Sequence, residues 1–222
     1  MSALDKKEKQ TNKRKAKTVI LVLLILFVIL VILNLIAESG ILNRLSAPNG
    51  EETKAPVFLF NPDYDLNIFE DEVYLDLDRY ILYSDDGVSF VKLVNESAFQ
   101  AAGKTAVFFG KYFDSIIYGD SETYNTLFTE DYLKEHGEKD RFTMQMLYNM
   151  EVTKLREETI NEGTAEQSTL YEFEVRYAIR RNNGTFRSDL ESGMTRPQIY
   201  VLIENDSTEE LLINSITDFI YK

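Results

Sequence analysis

The chain contains no cysteine, no tryptophan and only one histidine in 222 residues. Without cysteine it has no disulfide framework, and lipoprotein anchoring, which needs that residue, is excluded. An extracellular eukaryotic domain of this size would often carry disulfides, so their absence points to a bacterium, particularly one with a single membrane. No zinc-ligand spacing, phosphate-binding glycine loop, dinucleotide fingerprint or nucleophile elbow occurs. Internal repeats and long heptads are also missing.

Positive charge is scarce outside the N-terminus. The formal net charge is −13. Residues 1–17 hold seven Lys or Arg against Asp5 and Glu8, a local +5 that leaves −18 for the rest. A domain this acidic lacks the positive footprint that nucleic acid requires. It is equally unsuited to lying on anionic lipid. Composition is otherwise that of a globular chain, 44% hydrophobic and 12% aromatic.

The one long apolar run is Val19 to Ala37, in which only Asn34 is polar. As a helix it would span roughly 28 Å, close to the hydrocarbon thickness of a bilayer. The expectation is a single transmembrane helix over 18–37. Basic residues precede the run and none follows at once, which places tail 1–17 in the cytoplasm and the C-terminal domain outside the cell. A cleaved signal peptide is the competing reading, but its apolar core is usually about 7–15 residues long. Residues 38–56, with Gly40, Pro48, Asn49, Gly50 and Pro56, read as a short polar linker.

Beyond the linker, residues 57–96 read as a short β region. Val57–Phe60 is an apolar run, and Arg79–Tyr83 and Val88–Val94 flank Ser84-Asp85-Asp86-Gly87, a hairpin signal. Whether it extends the main sheet or stands apart is open. Residues 97–118 predict one long helix capped by Ser97, with Phe99, Ala102, Ala106, Phe109, Phe113 and Ile116 on one face. Gly103 and Gly110 within it imply a closely approaching surface. Shorter helices are expected near 121–128, 129–136 and 141–148. The period then changes to two. A strand starts at Met150 and Val152, and 169–181 is the clearest one, with Tyr171, Phe173, Val175, Tyr177 and Ile179 on one face. Asn182-Asn183-Gly184 should turn into a strand near 185–190. Strands starting at Ile199 and returning over 211–220 complete a meander. Helices first and strands after give an α+β fold with segregated layers.

The stretch FFGKYFDSIIYGDSETYNTLFTEDYL, followed by long antiparallel strands, resembles the nuclear transport factor 2-like superfamily over residues 97–222. That resemblance implies helices packed into the concave face of a curved antiparallel sheet, a cone. Within the superfamily, the short tail, single span and outer domain are similar to the assembly components of bacterial type IV secretion and their Gram-positive conjugation counterparts. The resemblance therefore implies an envelope interaction or scaffold domain. Binding of a small molecule or cell-wall fragment in the cone is an alternative, and a membrane-bound isomerase or hydrolase a further one.

Chemistry for an enzyme is hard to find. Some members of the superfamily use an Asp or His with Tyr donors, and the residues that could line a cone here are Phe109, Tyr112, Phe113, Tyr171, Phe173 and Tyr177. Aromatic residues at core periodicity are usually core. His136 falls in a charged stretch, and Asp114 is expected on the outer side of the long helix. Asp63, Asp65 and Asn67 have calcium-loop spacing, but Ile68 and Tyr74 stand where Gly and Glu are needed, so a capped turn is the better account. The expectation is no catalytic residue, cofactor or metal, with protein partners in the envelope and self-association left open.

Overall fold

A computed structural model describes residues 59–164, 167–205 and 210–218. The tail 1–17, the span 18–37 and the linker 38–56 lie outside the described residues, as do Val57, Phe58 and the 206–207 turn. Among the described residues no helix is long and apolar enough to cross a membrane.

The described part is α+β. A 3-10 turn (Ile68–Glu70) and helix α1 (Glu72–Leu75) lead into β1 (Ile81–Ser84) and β2 (Val91–Leu93). Four helices follow: α2 (Glu96–Ala102), α3 (Lys104–Ile117), α4 (Ser121–Asn125) and α5 (Glu130–His136). The remaining strands are β3 (Met146–Ile160), β4 (Ser168–Arg180), β5 (Gly193–Met194), β6 (Gln198–Asn205) and β7 (Glu210–Asp218). One seven-stranded sheet runs β2-β1-β3-β4-β6-β7, with β5 alongside β4.

The 80–94 hairpin extends this sheet. Asp86 explains its turn, accepting from the amides of Val88 (2.8 Å) and Ser89 (2.6 Å). β1 then pairs with β3 in parallel, Ile81 opposite Met150 and Ser84 opposite Thr153. The sheet is therefore mixed, and the purely antiparallel expectation is corrected. Leu59 and Phe60 are not in a strand, and Leu59 is 97% exposed.

The expected single helix over 97–118 is two. Gly103 adopts φ +99°, which ends α2 and starts α3; such a backbone is accessible to glycine and breaks a helix that the apolar spacing would otherwise continue. Asn95, not Ser97, caps α2, accepting from the Ala98 amide at 3.0 Å. Helix α3 ends at Gly119, φ +69°.

Two further expectations fail for local reasons. The predicted helical turn at 141–148 is an extended approach to β3, held by hydrogen bonds from the Thr143 amide to Thr185 (3.1 Å) and from the Gln145 amide to Ile117 (3.2 Å). The predicted strand at 185–190 is a loop. The Asn182 side chain donates to the carbonyls of Arg187 and Leu190, at 2.9 and 2.6 Å, and so occupies acceptors a ladder would use. Among the described residues between β4 and β6, the only strand paired with β4 is the short Gly193–Met194.

The core lies between α3 and one sheet face. Phe109 stands 4.9 Å, ring to ring, from Phe173 and 6.2 Å from Tyr200; Phe113 lies 5.7 Å from Tyr177. Burial of such a ring stabilises by about 1.5–3 kcal/mol relative to exposure. On β6 the inward residues are Tyr200, Leu202 and Glu204, while Ile199, Val201 and Ile203 on the other face are half-buried.

Candidate functional site

All six residues expected to line a cone meet between α3 and β4. Each is at most 4% exposed. They pack together as core, although Phe113 also borders an outer groove and Tyr112 and Tyr177 a small hollow. Phe113 and Phe173 both pack on Phe109, and Tyr200, which the sequence reading did not single out, packs on it as well.

The polar ends of these rings collect at one side of the core. The hydroxyls of Tyr112 and Tyr200 are 2.9 Å apart. Arg187 Nη1 donates to the Tyr177 hydroxyl at 3.1 Å and to Gln198 at 3.2 Å, while its other nitrogens form a two-point pair with Asp189 at 2.6 and 2.8 Å. Burial opposes the Arg187 charge, but Asp189 and the Tyr177 hydroxyl outweigh it and hold the group protonated. Burial raises the Tyr112, Tyr177 and Tyr200 phenols, so these act as neutral hydrogen-bond groups. A cavity of about 160 Å³ remains beside them, bordered by Tyr124, Lys139 and Arg187. Lys139 has its pKa lowered by desolvation and then by Arg187.

A second polar knot ties the start of α3 to β6. Glu204 is buried, accepts from the Tyr171 hydroxyl at 2.9 Å and forms an ion pair with Lys104. This inward carboxylate was also missed by sequence reasoning. The alternation of β6 could have revealed it, since Tyr200, Leu202 and Glu204 share one phase of the strand.

Other sequence candidates are structural. His136 is the last residue of α5, exposed, stacked on Tyr132 at 4.2 Å. The Asp63 side chain accepts from the Asp65 amide (3.0 Å), and that of Asn67 from the Phe69 amide (3.2 Å), as expected of a capped turn. Among the described residues no group of His, Asp or Glu is placed to hold a metal ion.

A larger concavity than the hollow beside Arg187 opens beside the β1–β2 hairpin. A groove of about 530 Å³ runs between the β1–β2 hairpin and helices α2 and α3, with Leu77, Leu93, Phe99, Phe113 and Ile117 among its walls. A second hollow of about 430 Å³ adjoins it toward Lys111 and Tyr118. Both share Glu96, Phe99, Gly110 and Asp114. The Phe99 ring rests on Gly110: a Cβ there would come within 2.9 Å of it. Asp114 stands one helical turn further on, exposed as expected, yet desolvation raises its pKa above the ordinary carboxylate value. Its carboxylate has no hydrogen bond or ion pair among the described residues.

A comparison of the chain with protein-family models, with curated proteins and with solved structures finds no match in any of the three.

Proposed function

We propose that this chain is a membrane-tethered interaction domain on the outer face of a bacterial envelope, built on a nuclear transport factor 2-like fold and acting as a scaffold in a multiprotein assembly such as a secretion or conjugation apparatus. The observation that carries the reading is the contrast between two places. The space between α3 and the sheet is filled with aromatic side chains, whereas a groove of about 530 Å³ opens on the outside. A filled core leaves little room for a substrate between α3 and the sheet, and an open mixed apolar and polar groove suits a protein partner. The basic tail followed by the apolar run supports the tether. The order of helices before a strand meander supports the fold assignment.

The test has two parts. Protease added to intact cells should digest the chain beyond residue 38 and spare the N-terminal tail. Crosslinking in those cells should recover envelope or membrane proteins; recovery of none would count against the interaction reading.

The cavity beside Tyr124 and Arg187 favours a second reading, a small-molecule module. At about 160 Å³ it would take only a few waters or one small ring. Soaking small carboxylates and aromatic acids against the domain, followed by calorimetry, would detect such binding.

A further inference from the structure

We propose that the groove between the β1–β2 hairpin and helices α2 and α3 docks a segment of a partner protein that inserts a lysine or arginine against Asp114, with apolar side chains on either side of that cation. The inference rests on the interaction reading above and names the surface and the chemistry of its partner.

Three observations converge. The first is shape. Two neighbouring hollows share Glu96, Phe99, Gly110 and Asp114 in their walls, with the Phe99 ring lying against Gly110 between them, and together they form one trough-like surface. The second is the uncovered apolar surface along it: Val94 is 64% exposed and Tyr118 is 56% exposed. Leu93 and Phe113 lie deeper in the same trough. The third is charge. Asp114 stands where both hollows meet, partly desolvated and with no cation bonded to it. Glu96 lines both hollows as well and has no ion pair among the described residues. A carboxylate held against apolar walls is a site that a cation satisfies once water is expelled.

Charge also argues for the kind of partner. A second copy of this chain would bring the same acidic excess, −18 beyond the tail, toward a trough whose walls carry Glu96, Asp114 and Asp120 against Arg79 and Lys111. Like charges across an interface suppress association. A basic, apolar-flanked segment of another protein has the complementary character.

The experiment pans short random peptides, displayed on phage, against the full chain held in lipid nanodiscs. The expected result is enrichment of sequences with a Lys or Arg beside apolar residues. A synthetic peptide of that sequence should lose affinity by about tenfold or more on Asp114→Asn, and the loss should deepen on Asp114→Lys. Binding to Asp114→Lys should return when the peptide's own cation is replaced by Glu. Val94→Arg, at an exposed position, should block the trough without touching the core. A cooperative melt with a midpoint no lower than the parent's shows that each variant is folded. Enrichment without a cation, or binding indifferent to both Asp114→Asn and Val94→Arg, overturns the proposal while leaving an interaction role elsewhere on the domain. No enrichment also overturns it. So does peptide binding that appears only when residues 1–17 are deleted, since the chain's own tail would then be the occupant, or a self-association that Val94→Arg abolishes, which would make the occupant a second copy. Failure of the broader reading is distinct: the crosslinking experiment would then recover no envelope protein at all.

Discussion

The hydroxyl of Tyr112 on α3 meets the hydroxyl of Tyr200 on β6 at 2.9 Å, with both rings about 1% exposed. Each hydroxyl is the other's buried partner. Tyr200→Phe therefore leaves the Tyr112 hydroxyl without this partner, and Tyr112→Phe does the reverse. Each single change should cost about 1–2 kcal/mol. The double change removes donor and acceptor together and should cost less than the sum of the two. Chemical denaturation of the four proteins in a double-mutant cycle reads the coupling; strict additivity would mean that the pair does not act as a unit.

Gly119 closes α3 against the chain entering β3. Its φ is +69°, and a Cβ there would lie 2.9 Å from Met144 N and from Thr143 C. Those neighbours are backbone and cannot swing aside. Gly119→Ala should lower stability by at least about 2 kcal/mol, combining left-handed strain with the clash. Thermal melting checks it, and a midpoint within a degree of the parent would contradict the packing.

Gly110 is a different case, because what blocks a side chain there is the Phe99 ring, 2.9 Å from the added Cβ. Alanine favours a helix by about 1 kcal/mol over glycine. That gain should be hidden in Gly110→Ala by displacement of the ring, and should emerge when Gly110→Ala is made on a Phe99→Ala background. If Gly110→Ala stabilises both backgrounds equally, the ring does not rest on Gly110.

The parts legible in the sequence were those with a period. Tyr171, Phe173, Val175, Tyr177 and Ile179 alternate, and all five are buried along β4. The Asp85-Asp86-Gly87 turn was also legible, because its bonds are local. The parts that were not legible depend on distance or on a single torsion. The parallel pairing of Ile81 with Met150 joins segments far apart in the chain. The break at Gly103 is a φ value inside an unbroken apolar spacing. On β6 both faces are apolar enough to take either phase, and only packing against Phe109 chooses Tyr200. Arg187 sits in a loop held by Asn182, with no periodic neighbour to announce that it faces Tyr177. The groove follows the same logic, since Phe99 and Gly110 belong to helices whose separation at Gly103 the spacing conceals.

Asp86 and Asp114 should pull stability in opposite directions as pH changes. Asp86 accepts from the Ser89 and Val88 amides and from the Ser84 hydroxyl, and these bonds hold its pKa below the ordinary value. Its folded form binds fewer protons than its unfolded form. Its contribution is present above the unfolded pKa of about 3.9 and is lost as pH falls toward the folded value. Asp114 is raised by desolvation, so its folded form binds more protons than the unfolded chain. Stability therefore declines as pH rises from about 3.9 through the folded pKa, and the cost of the charge is complete at neutral pH. Asp86→Asn should lower the melting temperature at pH 7 and make the acid limb shallower. Asp114→Asn should raise the melting temperature at pH 7 and leave it unchanged at pH 3, with a gain of at most about 1 kcal/mol because the carboxylate keeps contact with water. Melting curves of both variants across pH 3 to 7 separate the two. An Asp114→Asn protein no more stable than the parent at pH 7 would mean that the carboxylate is well solvated, and the trough would then have little need of a cation.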